Sequence, residues 1–181
     1  PAARGGAAAR RPASVYVHGG PPRLILHDTA STEIYTNAYA MNQYLASKGY
    51  VVLSVNYRLG IGYGYEFHQP PAAGARGAAE YLDVKAAALY LRTLPQVDST
   101  KIGIYGGSYG GYLTALALGR NSDLFAAGVD IHGVHDMSAS ASGAGAALQA
   151  AMGGGSRFEP TDRDKALEVA WQSSPVSAVK G

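Results

Sequence analysis

Cysteine is absent from all 181 residues, which excludes disulfide cross-links and any thiolate site. Charge is sparse too: 15 Lys and Arg against 13 Asp and Glu leave a formal net charge of +2 at pH 7. The basic residues are scattered, so the chain has no electrostatic footprint for nucleic acid. No apolar run approaches the length of a bilayer span, and no signal-peptide pattern is present. Charged residues make up 15% of the chain and hydrophobic ones 47%, a balance that indicates a globular domain and not a disordered chain. A chain of this length buries one good core, so a single domain is expected. An initiator Met is lacking as well. The chain opens on Pro1, as a segment of a longer polypeptide would.

What is present alternates between strand and helix signals. Residues 1–12 are rich in Ala, Gly and Arg without large apolar groups and read as a loose lead-in. The folded unit is expected over 13–181. Ser14 to His18 is a short β-branched and aromatic run ended by Gly19-Gly20-Pro21-Pro22, a strand followed by a turn. Leu24-Ile25-Leu26 fits either an extra strand or a covering loop. A helix is expected from Ala38 to Ser47, with Lys48-Gly49 as its stop. Val51 to Tyr57 reads as a buried strand, followed by a Gly- and Pro-containing loop to Gly77. From Ala78 to Leu94 a helix is expected, with Ala79, Leu82, Ala86, Tyr90 and Leu91 as its apolar positions. Lys101–Tyr105 and Phe125–Ile131 read as further strands, separated by a helix from Tyr112 to Gly119, and a last helix is expected near Asp164 to Trp171. This order argues for a mostly parallel sheet with helices on both faces.

Chemistry is concentrated at two points. Gly106-x-Ser108-x-Gly110 follows a strand and precedes a helix, the layout of a nucleophile elbow. The turn is tight enough that the flanking residues need to lack side chains, which leaves Ser108 projecting. The second point is Val17-His18-Gly19-Gly20-Pro21. In acyl transfer the carbonyl oxygen becomes an oxyanion and needs backbone N–H groups aimed at it. A strand ending in two glycines offers such a donor at Gly20, and the N–H of Tyr109, just after the serine, offers the other. His18 precedes the serine, whereas this layout places the general base last, so His18 is expected to be structural.

Four segments carry a resemblance: Val-His-Gly-Gly-Pro-Pro at 17–22, Gly-Tyr-Val-Val-Leu-Ser-Val-Asn-Tyr-Arg at 49–58, Gly-Ile-Gly-Tyr-Gly at 60–64 and Gly-Gly-Ser-Tyr-Gly-Gly-Tyr at 106–112. Together they resemble the catalytic domain of the prolyl oligopeptidase family, most of all its acylaminoacyl-peptidase and dipeptidyl-peptidase IV branches. The resemblance implies an α/β-hydrolase fold and a serine peptidase acting on short peptides, without cofactor or metal. It implies Ser108 as nucleophile, with the backbone N–H groups of Tyr109 and Gly20 as the oxyanion hole. Val134 and Met137 fall where relatives line the pocket for the P1 side chain. Complete relatives also carry an N-terminal β-propeller.

The family's triad runs serine, aspartate, histidine along the chain. The stretch from Ser174 to Gly181 resembles the approach to the acid-bearing strand, so the Asp and His are expected beyond it. Without a base, Ser108 is a poor nucleophile, and the chain as given is expected to be nearly inert. A sheet lacking its last strands would leave an open edge, so self-association is expected too. A carboxylesterase would use the same elbow and oxyanion hole, and a non-catalytic binding domain would keep the fold alone. Asp130, His132 and His135 are the residues here that would have to serve as a substitute acid and base. The set Asp130, His132, His135 and Asp136 lacks the spacing of a metal site. Gly60 to Gly64 lacks the glycine pattern of a dinucleotide loop. His27 and His68 read as loop residues, the 13 tyrosines as packing, and Arg58 with Asp83 as a structural ion pair.

Overall fold

The computed structural model describes residues 9–25, 36–139 and 163–179. Small and β-branched residues around Ser14-Val15-Tyr16-Val17 form β1 (Arg11–Val17), and three more runs form β2 (Val51–Val55), β3 (Val97–Gly107) and β4 (Ala127–Ile131). All pair in parallel, in the order β2-β1-β3-β4. Parallel neighbours need crossover connections, and helices supply them. They are α1 (Thr36–Ser47) between β1 and β2, α3 (Tyr81–Thr93) between β2 and β3, and α4 (Tyr109–Arg120) between β3 and β4. The short α2 (Tyr65–His68) lies in the loop after β2, and α5 (Arg163–Gln172) leads to a 3₁₀ turn at Pro175–Ala178.

The two-residue alternation of a strand sends neighbouring side chains to opposite faces. Ala13, Val15 and Val17 stand in register with Ile102, Ile104 and Gly106, and this face is sealed by α3 and α4. Tyr112, Leu113 and Leu116 of α4 are fully buried there. Each such side chain contributes about 2 kcal/mol by leaving water. The other face carries Ser14, Tyr16, Ser54 and Tyr105, with Tyr16 and Tyr105 in ring contact at 5.0 Å. It is tied to α1 through Asn42, which donates to Ser54 Oγ at 3.0 Å and accepts from Tyr105 Oη at 2.5 Å.

The structure corrects several expectations. Strand β1 begins at Arg11, whose N–H donates to Gln96 O at 2.8 Å, so Arg11 and Pro12 belong to the sheet and not to a lead-in. Residues 1–8 lie outside the described residues, as do Leu26 and His27. Ile25 is in a covering loop and not a strand: its N–H and C=O both bond the Asn56 side-chain amide. Strand β2 is only half buried because it ends the strand order among the described residues. In α3 the buried stripe is Tyr81, Val84, Ala88 and Leu91, with Ala87 beside it, whereas Leu82 and Tyr90 are each 56% exposed. Two apolar sets share the helical period in this segment, and only the position of the sheet selects between them. The chain leaves α3 in an extended conformation at Leu94, as a residue before proline does.

Candidate active site at the carboxyl edge of the sheet

Parallel strands present all their carboxyl ends at one edge, where α/β folds place their ligands. Val17 is in register with Gly106, so the turns that follow β1 and β3 leave this edge side by side. Ser108 links β3 to α4 at φ 56° and ψ −118°, a conformation that costs a residue with a side chain on the order of 1–3 kcal/mol. Its N–H donates to Ile131 O at 2.9 Å, and its carbonyl accepts the Tyr112 N–H at 3.0 Å. The turn is thereby pinned on one side to β4 and on the other to the first turn of α4. Ser108 is partly exposed, and no side chain among the described residues hydrogen-bonds its hydroxyl.

The flanking glycines are required by contact. A β-carbon on Gly106 would stand 2.4 Å from the Val17 carbonyl oxygen, and one on Gly110 would stand 2.0 Å from the same atom. The elbow is therefore seated directly on the backbone of β1. Beyond Val17, Gly20 adopts φ +59°, in the left-handed region that glycine tolerates. The N–H of Tyr109 is the first amide of α4, where no preceding helical turn offers an acceptor.

Beneath the two turns lies a layer of aromatic and ionisable groups. His18 is fully buried and stacks on Tyr57 with ring centroids 4.4 Å apart. Burial drives its pKa down to about 4, opposed by the hydrogen bond to Gly19 O, so the imidazole is neutral at pH 7. Tyr57 donates to His18 O at 2.7 Å and stacks on Tyr109 at 6.2 Å. Tyr109 in turn packs edge-on against Tyr112 and donates its hydroxyl to the buried carboxyl of Glu80. Burial raises the Glu80 pKa, and the hydrogen bonds from Tyr109 and Gly74 oppose that shift. Neither Tyr57 nor Glu80 carries a one-dimensional signal of this position. The carboxylate at 80 looks like any acidic residue entering a helix.

The other candidates have local partners. Asp130 accepts from Gly133 N at 2.8 Å through one oxygen and binds His135 Nε2 through the other. A β-carbon on Gly111 would stand 2.3 Å from Asp130 Oδ1, so that carboxylate lies against the first turn of α4. Among the described residues, no hydrogen bond joins His132 or His135 to Ser108. Asp136 accepts from Ser138 and Ala139 in its own loop, and those bonds lower its pKa. Met137 is buried in the core with its N–H held by Ser174 Oγ at 2.7 Å, while Val134 is half-buried beside it. His68 bonds Leu59 O in the loop after β2. Arg58 and Asp83 form the expected ion pair, with Nε and Nη2 of the guanidinium on the two carboxylate oxygens at 2.9 and 3.0 Å.

A sequence profile of the prolyl oligopeptidase family matches residues 37–179. The chain belongs to that family. Dipeptidyl aminopeptidase BIII of Pseudoxanthomonas mexicana is 37% identical over 123 residues, covering 67% of this chain and 16% of that protein. Acylamino-acid-releasing enzyme 1 of Oryza sativa subsp. japonica is 33% identical over 120 residues, covering 66% and 14%. Among solved structures, the uncomplexed acylaminoacyl peptidase of Pyrococcus horikoshii superposes with a TM-score of 0.67 at 30% identity, covering 93% of this chain and 25% of that one. The fold of this prolyl oligopeptidase family member is that of an α/β-hydrolase, as the four motifs imply. The chain spans only 14% to 25% of the length of these relatives.

Proposed function

We propose that Ser108 is the nucleophile of a serine peptidase that hydrolyses short peptides through an acyl-enzyme. The observation that carries this reading is the conformation of Ser108: a non-glycine residue at φ 56° on the strand-to-helix turn, with Gly106 and Gly110 pressed onto β1. Strain of this kind persists only where the surroundings over-determine it, and an incidental serine gives no reason to keep it. Ser108 Oγ attacks the peptide carbonyl carbon and loses its proton to a base. The carbonyl oxygen becomes an oxyanion facing the Tyr109 and Gly20 N–H groups. The base then protonates the departing amine as the C–N bond breaks, and water cleaves the resulting ester.

The base is part of the proposal for the whole protein. In the order of this layout an aspartate and then a histidine follow the serine, and on this reading acylation depends on both. Val134, half-buried against the core, borders the P1 side chain on this reading, while Met137 is buried in that core. The names of the relatives, dipeptidyl aminopeptidase and acylamino-acid-releasing enzyme, support peptides as the substrate class.

The test is phosphonylation of the full-length protein with a fluorophosphonate probe, read by mass spectrometry, alongside release of amine from aminoacyl anilides. One adduct on the Ser108 peptide is expected, absent from Ser108→Ala together with the anilide activity. A labelled protein whose adduct lies elsewhere, or no adduct at all, would overturn the assignment.

A further inference from the structure

Glu80 is the one carboxylic acid among the described residues that is buried, and it is fully so. Placing an acid there opposes folding unless its oxygens are occupied. They are occupied by two groups. The Gly74 N–H reaches both oxygens, at 3.1 and 3.2 Å, and the Tyr109 hydroxyl donates to Oε1. The acid thus joins the loop before α3 to the residue that immediately follows Ser108, 29 positions along the chain. A phenylalanine at position 109 over an apolar residue at position 80 would remove the bond to the hydroxyl but leave the buried Gly74 N–H without its acceptor.

The geometry of Tyr109 gives this bond its leverage. Its ring is 4% exposed, lying between the stacked Tyr57 and the edge-on Tyr112. Ring contacts of this kind hold a plane but let it slide, whereas a hydrogen bond at the far end fixes the ring along its own axis. The backbone of Tyr109 begins α4, and its N–H belongs to the Ser108–Tyr109 peptide, whose plane is set by the Ser108 ψ of −118°. Any shift of the side chain along its axis is carried into that peptide plane.

We propose that Glu80 is a positioning residue for the elbow, holding Tyr109 by its hydroxyl so that the Ser108–Tyr109 peptide N–H stays aimed at the developing oxyanion. The inference rests on the assignment of Ser108 as nucleophile. Glu80 touches no substrate. It acts through Tyr109.

The experiment compares Glu80→Ala, Glu80→Gln, Tyr109→Phe and the Glu80→Ala/Tyr109→Phe double variant of the full-length protein. Two quantities are read: the second-order rate constant for phosphonylation at Ser108, and the thermal midpoint. Leu91→Ala, far along α3, serves as a control that loosens the same helix without touching Tyr109. Glu80→Ala and Tyr109→Phe are each expected to slow labelling on the order of tenfold, the cost of a misaimed rather than a missing donor. The double variant is expected to be no slower than Glu80→Ala, which already removes the bond to Tyr109 along with those to Gly74. Glu80→Gln keeps an acceptor for Tyr109 and is expected to recover most of the rate. Leu91→Ala is expected to lower the midpoint and leave the rate alone.

Labelled wild type with Glu80→Ala no slower than Leu91→Ala at equal loss of midpoint would overturn the inference while leaving the nucleophile in place. Absence of label from the wild type overturns both at once, and the wild-type sample alone tells the two failures apart. If Glu80→Ala does not fold, Glu80→Gln and Tyr109→Phe carry the comparison: equal rates in wild type and Tyr109→Phe would sink it.

Discussion

The Tyr57 hydroxyl donates to the carbonyl oxygen of His18 at 2.7 Å, while the two rings stack face to face at 4.4 Å. One side chain thereby fixes both the backbone and the imidazole of the residue that leads into Gly19-Gly20. Tyr57→Phe keeps the stack and removes only the hydroxyl. A loss of about 1–2 kcal/mol is expected, because the His18 carbonyl is left buried with one partner fewer. Urea denaturation of the two proteins measures it, and an unchanged midpoint would mean that water replaces the hydroxyl.

His18 itself predicts a pH dependence. Its folded pKa of about 4 lies below the ordinary value of 6.5, so the unfolded chain binds the proton more readily. Stability from this group is complete above pH 6.5 and is lost as pH falls toward 4. Between pH 7 and pH 5 the loss is about 2 kcal/mol. Glu80 works with the opposite sign, since burial raises its pKa and favours folding as the pH falls. The contribution of His18 is therefore read as a difference between wild type and His18→Gln. A variant with the same slope as wild type would contradict the buried, neutral imidazole.

Ser108 sits where glycine belongs on conformational grounds. Ser108→Gly is expected to raise stability by about 1 kcal/mol while abolishing any chemistry that depends on the hydroxyl. Guanidinium titration reads the first effect. A destabilised Ser108→Gly protein would show that the backbone angle is not where the strain resides.

Gly110 permits no substitution. A β-carbon 2.0 Å from the Val17 carbonyl oxygen meets backbone, which cannot swing aside as a side-chain end can. Gly110→Ala is expected to cost about 3 kcal/mol or more and to part α4 from β1. Gly49, whose β-carbon would meet nothing within 4 Å, provides the contrast: Gly49→Ala carries only the penalty of its φ of +94°. Equal midpoints for the two variants would argue against the close approach.

Arg58 and Asp83 form a bidentate pair, and Asp83 also accepts the Arg58 backbone N–H at 2.8 Å. Asp83→Asn is expected to cost roughly 1–3 kcal/mol, since two charge-assisted bonds weaken together. Arg58→Lys should fare little better, because an ammonium cannot span both oxygens. Thermal melts of both variants at low and high salt test this, and a loss that vanishes in salt would mark an ordinary surface pair.

The alternation of strands and helices, the elbow and the double-glycine turn were all legible in one dimension, as was the family they resemble. Each rests on a local requirement. Gly106 and Gly110 flank a serine because the turn has no room for side chains, and Val15 and Val17 alternate because a strand has two faces. Such demands fall on neighbouring residues and so leave a pattern along the chain. What the tertiary structure decided is which surfaces and partners those elements meet. Leu82 and Tyr90 have the period of a buried stripe, yet the sheet lies on the side of Val84 and Leu91. Asp130 and His135 resemble parts of a triad, yet they bind one another against α4. Glu80 resembles a solvated helix-entry charge, yet it is sealed beneath Ser108 by a tyrosine 29 residues away. Contacts between distant segments depend on packing energy summed over the whole core. No local period encodes them.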